Sequence, residues 1–365
     1  MKFRISKEAL LDGLQKVQHV VSSRTTLPIL SNVLIVAKGD RLHLTTTDLD
    51  VGITGSVLAS IEKEGATTLP AKKFCNIVRE LPASEVDISV DGKNIATIRC
   101  GAATFKINGL GEAEFPPFPD FASAKEFKIL QNDMRDGLRK TSYAISTDET
   151  RYVLNGIYTS FRDGKMTLVA TDGRRLAMAE SDLEFPASHE TDVIIPTKAV
   201  QEVQRLVGTE GELTLRLSDS QVYFSIGDTI LVSKLIEGNY PNYRQVIPGN
   251  TNERVEIPRE ALLETVKRVS LLSSDKASSV KLFFGDNKVE ISANTPDVGE
   301  AREDLLVKFE SKEIQVAYNP EFLMAPLRNL ETETVYLDLI DEMSPGVIRI
   351  DGSFLYVIMP MRVTN

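Results

Sequence analysis

One pattern, an extended apolar segment running into an amphipathic helix, occurs three times along this chain at nearly equal spacing, and it makes the chain a set of copies. The first copy reads Phe3-Arg4-Ile5, then Leu10, Leu14, Val17 and Val21. The second reads Phe127-Lys128-Ile129, then Met134, Leu138 and Ile145, and the third Val255-Glu256-Ile257, then Leu262, Val266 and Val269. Aligning Leu14, Leu138 and Val266 gives offsets of 124 and 128 residues. A second helix follows a short apolar strand at 70–81, 196–207 and 319–330, with offsets of 126 and 123. Between the two helices a strand ends in a polar turn at 44–48, 168–172 and 291–295. Three independent landmarks keep one register.

At 365 residues the chain exceeds one ordinary core. The repeat divides it into three domains, 1–125, 126–253 and 254–365. Hydrophobic content of 42% and charged content of 26% are those of a globular protein that folds by burying apolar surface. Helical spacing predicts helices over 6–20, 71–81, 131–141, 197–207, 258–270 and 320–330. The stretches 93–106, 214–226 and 281–291 alternate apolar and polar residues, as half-buried antiparallel strands do. Asp91-Gly92, Asp163-Gly164, Gly227-Asp228, Gly285-Asp286-Asn287 and Asp351-Gly352 carry hairpin chemistry, because Gly and Asn take positive φ cheaply. Segment 109–126, with Pro116, Pro117 and Pro119, and segment 247–254, around Pro248-Gly249-Asn250, read as linkers. Each copy is then two helices laid on antiparallel sheet, an α+β class. Copies strung along a chain either stack or close into a ring, and closure removes the open sheet edges that invite aggregation. Pairing the first copy of one chain with the third of another is head-to-tail, and such contacts make rings when the rotation closes.

The formal net charge of −10 argues at first against nucleic acid. Distribution changes that argument. The six predicted helices hold 14 Lys or Arg against 9 Asp or Glu, a net of +5, and the rest of the chain carries −15. Basic helices on an acidic body suit a protein that presents its helices to a polyanion. The same bias arises if helices simply tolerate Lys and Arg well. Without a signal-peptide stretch at the start, or an apolar run near the roughly 20 residues that span a bilayer, a cytoplasmic protein is expected. Cys75 and Cys100 make neither a disulfide framework nor a metal cluster.

Several longer strings resemble the bacterial sliding clamp family, the beta subunit of DNA polymerase III. They are Thr26-Leu27-Pro28-Ile29-Leu30-Ser31-Asn32, Arg151-Tyr152-Val153-Leu154-Asn155-Gly156, Ala170-Thr171-Asp172-Gly173-Arg174-Arg175-Leu176, Tyr240-Pro241-Asn242-Tyr243-Arg244 and Val357-Ile358-Met359-Pro360-Met361-Arg362. The resemblance covers the whole chain. It implies a head-to-tail homodimer of three-domain subunits, a closed six-domain ring with helices facing the hole, duplex DNA passing through, and a replicative polymerase tethered to the ring. A clamp-loader ATPase complex opens such rings, and other polymerases and repair proteins dock through short linear peptides. Topological linkage needs no base contacts, so weak, solvated, salt-sensitive contacts are expected. Lys72, Lys73, Arg79, Arg135, Arg139, Lys198 and Arg205 on the helices suit that, and the resemblance places Arg24 and Tyr152 on the DNA. Val153 stands where the family often has a second aromatic, and Asp148-Glu149 puts two acids where it often has neutral or basic groups.

The resemblance also implies a groove for a peptide carrying Gln and large apolar residues. Its positions here are Leu154, Thr171, Gly173, Arg174, Arg175, Leu176, Pro241, Val246, Asn319, Phe322, Met343, Val357, Ile358, Met359, Pro360, Met361 and Arg362. Adaptable Met side chains suit a groove with several partners. Read without the family, Met359-Pro360-Met361 is equally a terminal strand packing into its own core. For the subunit seam the matching positions are Phe105 and Ile107, Leu271 and Leu272, and the acids Glu300 and Glu303, with core packing the competing account of the four apolar residues.

No catalytic constellation assembles. His19, His43 and His189 lie beside no nucleophile signature, and no glycine-rich loop ends in Lys-Ser or Lys-Thr, so neither catalysis nor a cofactor is expected. Acid pairs such as Asp48 with Asp50, or Asp341 with Glu342, read as solvated turns. Two classes remain: a DNA-encircling clamp, or an enzyme or scaffold built from the same repeat.

Overall fold

The computed structural model describes residues 1–21, 27–118, 125–249, 253–273, 279–296 and 298–362. The first copy runs β1 (Lys2–Ser6), α1 (Lys7–Val17), β2 (Asn32–Lys38), β3 (Arg41–Thr47), β4 (Val51–Leu58), β5 (Ser60–Lys63), β6 (Gly65–Pro70), α2 (Ala71–Glu80), β7 (Glu85–Val90), β8 (Ile95–Cys100) and β9 (Ala103–Asn108). The second runs β10 (Lys125–Leu130), α3 (Gln131–Thr141), β11 (Gly156–Arg162), β12 (Lys165–Thr171), β13 (Arg175–Asp182), β14 (Thr191–Pro196), α4 (Thr197–Leu206), β15 (Glu212–Leu217), β16 (Gln221–Ile226) and β17 (Thr229–Lys234). The third runs β18 (Glu253–Pro258), α5 (Arg259–Val269), β19 (Val280–Gly285), β20 (Lys288–Thr295), β21 (Gly299–Leu306), β22 (Ile314–Tyr318), α6 (Pro320–Asn329), β23 (Thr334–Leu339), β24 (Gly346–Arg349) and β25 (Phe354–Ile358).

Each copy contributes two four-strand half-sheets with one strand order. The first halves are β1-β7-β8-β9, β10-β15-β16-β17 and β18-β23-β24-β25; the second are β6-β2-β3-β4, β14-β11-β12-β13 and β22-β19-β20-β21. Pairing of β17 with β4 fuses two halves into an eight-stranded sheet, and pairing of β25 with β13 fuses two more. The third and first copies' remaining halves stay separate, as a four-stranded sheet ending in β21 and, with β5 added, a five-stranded sheet ending in β9. Because sheets run across repeat boundaries, the chain packs as two compact units: Met1–Met134 with Lys198–Leu235, and Arg135–Thr197 with Ile236–Asn365.

The helices form where the apolar spacing puts them. Leu10, Leu14 and Val17 of α1 are buried, as are Leu262, Val266 and Val269 of α5. Ser6 caps α1 by accepting from the Ala9 N–H at 3.3 Å. Gly13 in α1 and Gly137 in α3 hold equivalent places, where an added Cβ would come within 2.9 Å of Leu44 and 2.8 Å of Leu168 respectively. That absence of a side chain lets each helix lie close on its sheet.

The turns follow the expectation with one shift. Asp163 and Gly164, like Asp286 and Asn287, are two-residue loops with positive φ at both places, +53° and +68° and then +50° and +58°. At 91–94 the left-handed residue is Asn94 (φ +60°) and not Gly92, because the Asp91 carboxylate accepts from the Lys93 and Ile95 amides and lengthens the turn. Among the described residues no helix is long and apolar enough to cross a membrane, and no group of three or more His, Cys, Asp or Glu is placed to hold a metal ion.

Candidate DNA and partner interfaces

The helix cations differ in how strongly the protein already holds them. Lys72 and Lys73 on α2 and Arg135 on α3 are exposed, and among the described residues no carboxylate pairs with them. Arg79 bonds Asn76 Oδ1 at 2.8 Å. Arg139 meets Asp136 at 2.5 Å and Glu331 at 2.7 Å. Burial pushes the Asp136 carboxyl up, but its bonds to Lys140 and Arg139 outweigh that and hold it below its usual value. Arg205 pairs with the buried Glu202. Lys198 bonds Asp48 and donates to the Val20 carbonyl at 2.9 Å, so it ties the end of the first helix region to the 48–51 turn. Tyr152 is 58% exposed on the short helical segment Glu149–Leu154, where Asp148 caps Thr150 N and pairs with Arg151 at 3.0 Å. Arg24 lies outside the described residues, as does the tail 363–365.

The positions assigned to a peptide groove gather in one compact unit. Strand pairing sets Arg175 opposite Ile358 and Leu176 opposite Val357. Met359 N donates to Arg174 O at 3.0 Å, and Met361 N to Ala317 O at 2.8 Å. The 171–175 turn is locked by side chains. Thr171 Oγ1 donates to Arg175 O at 2.6 Å and accepts from Gly173 N at 3.1 Å, while Asp172 Oδ1 accepts from the Arg174 and Arg175 amides at 2.9 and 3.1 Å. Asp172 Oδ2 pairs with Arg175 Nε at 3.0 Å, and the guanidinium lies 4.5 Å from the Phe322 ring centre. Gly173 takes φ +85° with Arg151 close against it, so a Cβ there would meet Arg151 Nη1 at 2.7 Å.

Phe322 sits at the start of α6, which Asn319 caps by accepting from Glu321 N and Phe322 N at 2.9 and 3.3 Å. Pro326 inside this helix has no N–H to give the Phe322 carbonyl. The buried Tyr356 hydroxyl supplies that bond, donating at 2.7 Å. Burial raises the phenols of Tyr356 and Tyr143, so both stay protonated at neutral pH. Leu154, Leu176, Val357 and Ile358 are buried beneath the surface, whereas Met343, Val246 and Met359 are 63%, 47% and 41% exposed. Gly173, Arg174, Pro241 and Arg362 are exposed, and Thr171, Asn319, Pro360 and Met361 half-buried. Asp172, Tyr356 and Tyr143 hold the floor of this region and were not singled out from sequence; the Ala-Thr-Asp-Gly string was the available signal for Asp172.

Four of the six seam positions fall on β9 and β21, the edge strands that hold the places of β17 and β25 and of β4 and β13 in their half-sheets, and Leu271 and Leu272 lie in the short helical turn Ser270–Leu272. Phe105, 38% exposed, and Ile107, buried, lie on β9. Glu300 and Glu303 lie on β21, whose end is braced by Thr295 Oγ1 donating to Leu272 O at 2.7 Å. Arg268 bonded to Glu303 at 2.5 Å holds that carboxyl below its usual pKa. Leu271, Leu306 and Val298 in the third copy are 80%, 81% and 67% exposed. Neither Leu306, at the end of β21, nor Val298, just before it, stands out in the sequence, because the strand between them is mostly charged over 300–304.

Three successive stretches match the three domains of one family: DNA polymerase III beta subunit, N-terminal domain at 1–119, central domain at 128–242, and C-terminal domain at 244–362. The Beta sliding clamp of Chlamydia muridarum is 34% identical over 363 residues, with 100% of this chain and 99% of the relative covered. That of Escherichia coli strain K12 is 34% identical over 369 residues, with both chains covered completely. Among solved structures, the DNA polymerase sliding clamp from Bacillus subtilis superposes with TM-score 0.95 at 30% identity, and the DnaN sliding clamp from Bartonella birtlesii bound to griselimycin with TM-score 0.95 at 35%, each covering 100% of both chains. This chain therefore belongs to the DNA polymerase III beta subunit family, the beta sliding clamps.

Proposed function

We propose that two copies of this sliding clamp close head to tail into a six-domain ring that encircles duplex DNA and tethers the replicative polymerase, conferring processivity without catalysis of its own. Three domains per chain, 1–125, 126–253 and 254–365, supply the six. The observation that carries the reading is that two sheet edges, β9 and β21, hold the places through which the other half-sheets join. Neighbouring copies within the chain join through the last strand of one half-sheet and the last of another, β17 on β4 and β25 on β13. β9 and β21 hold those two positions in the first and third copies, so a second chain is the partner that repeats the join.

The internal ladders also give the register. Phe127 leads across its half-sheet through Leu215 and Phe224 to Leu231, and Val255 leads through Leu337 and Ile348 to Tyr356. Leu231 then stands opposite Ile53, and Tyr356 opposite Ala177. In the first copy Phe3 leads through Ile88 and Ile98 to Phe105. The place matching Ile53 and Ala177 is Ala301, so Phe105 faces Ala301 of the second chain, and Lys106 faces Glu300 with opposite charge. Directly opposed residues in an antiparallel pair lie about 4.5 to 5.5 Å apart at Cα, within disulfide reach. Lys106→Cys combined with Glu300→Cys is expected to cross-link the dimer on mild oxidation. An assembled dimer that stays uncrosslinked would contradict the register.

Basic helices on an acidic body support contact with the phosphate backbone, by solvated charge and without base readout. Lys72, Lys73 and Arg135 are the cations most available for that; Arg24, Arg79, Arg139, Tyr152, Lys198 and Arg205 complete the set. The locked 171–175 turn, the Arg175–Phe322 stack and the half-exposed Met359 support a groove for short peptides that carry Gln and apolar residues. Through it the polymerase, other polymerases, repair proteins and the clamp loader dock. A cytoplasmic site of action accords with that partner set.

A further inference from the structure

The two joins between copies inside this chain repeat one another at a turn that the proposed groove uses. In the first join Thr47 Oγ1 donates to Val51 O and accepts from Leu49 N, both at 3.0 Å, and Asp48 Oδ1 accepts from the Asp50 and Val51 amides at 3.1 and 2.8 Å. These are the same bonds that Thr171 and Asp172 make in the second join. Leu49 takes φ +80° where Gly173 takes +85°. Val232 lies opposite Gly52, as Val357 lies opposite Leu176. The segments that follow the preceding domain also correspond: Phe115-Pro116-Pro117-Phe118 and Tyr240-Pro241-Asn242-Tyr243 share an aromatic-Pro-x-aromatic pattern. Phe115 belongs with Ile29 and Leu30 to a core cluster against which Leu34 packs, Tyr240 stacks on Tyr158 at 5.1 Å, and Leu34 and Tyr158 hold one strand position.

The first join keeps a pocket of about 90 Å³ at this place, between the turn, Val232 and the two aromatic rings. Its chemistry has diverged. Gly52 stands for Leu176 and leaves room that Phe118 borders, and Val51 stands for Arg175. Asp50 and Lys234 stand for Arg174 and Met359 and pair across the mouth at 2.9 Å, so the mouth is neutral where the second join gathers arginines. Leu49 is 49% exposed at the lip, in a left-handed conformation that a leucine rarely holds. Walls that are apolar at Val51, Val232, Phe115 and Phe118 and polar but uncharged at Thr45, Thr47 and Gln221, a mouth whose two charges offset each other, and a strained apolar lip favour an uncharged occupant. We propose that the first join is a second docking pocket, which takes one large apolar side chain of an uncharged linear peptide. This rests on reading the second join as the partner groove.

The test titrates the intact protein with the neutral probe acetyl-leucyl-phenylalanine amide while methyl resonances of Leu49, Val51 and Val232 are followed. Those methyls are expected to shift together and saturate at one probe per chain. Gly52→Leu fills the pocket and is expected to weaken the probe at least tenfold. Leu49→Gly, whose backbone suits the turn and so keeps the fold, is expected to weaken it about threefold. A Gln-bearing apolar peptide, added separately, is expected to shift Leu176 and Val357 equally in all three proteins. No shift at Leu49 and Val232, or equal probe affinity in both variants and the parent, overturns the second pocket. Failure of the Gln-bearing peptide at Leu176 and Val357 overturns the partner-groove reading instead, whatever the neutral probe does.

Discussion

At the scale of the residue, one hydroxyl does what the helix backbone cannot. Pro326 deprives the Phe322 carbonyl of its helical partner, and Tyr356, on a strand 34 residues further along the chain, donates to it at 2.7 Å. The same tyrosine lies against Arg175 and Phe322, so the bond fixes the helix and with it the wall of the proposed groove. Tyr356→Phe keeps the ring and removes the donor. It is expected to cost about 1 to 3 kcal/mol in denaturant unfolding, the range for a buried acceptor left unsatisfied, and to weaken groove peptides. Unchanged stability would mean that Phe322 O finds another donor. Such a pairing joins residues 34 apart by fold alone, which is why the family resemblance could point to Met359 and Phe322 but the sequence could not point to the hydroxyl that sets them.

At the scale of the element, helices were legible and turns were nearly so. Apolar spacing fixed five of the six helix sites to within a residue, and the first begins within a residue of the expectation but ends at Val17, three residues before 20, because burying one face decides where a helix forms. Asn94 in place of Gly92 as the left-handed residue was not legible, since it depends on which amides the Asp91 carboxylate captures. The edge strands carry the next prediction. Leu272 packs at the base of β21 beside Gly299, and a charge buried there without a partner would cost several kcal/mol in a closed seam. Leu272→Asp is expected to give monomers by sedimentation with each chain still folded by circular dichroism. A dimer of unaltered mass would remove Leu272 from the seam.

At the scale of the whole molecule, sequence and structure divide the chain differently, and both are informative. Repeats count three units because they record duplication. Packing makes two because β17 on β4 and β25 on β13 draw half-sheets of neighbouring copies into common sheets. The joining rule was invisible in the sequence, where a strand shows its own alternation but not its partner, and it is that rule which marks β9 and β21 as the edges proposed to meet a second chain. Ring closure is the central claim, and retention on DNA tests it most directly. After loading onto a nicked circular duplex, the protein is expected to remain bound through a high-salt wash and to be lost once the circle is cut into a linear molecule with free ends. Equal loss from circle and line under that wash would contradict encirclement.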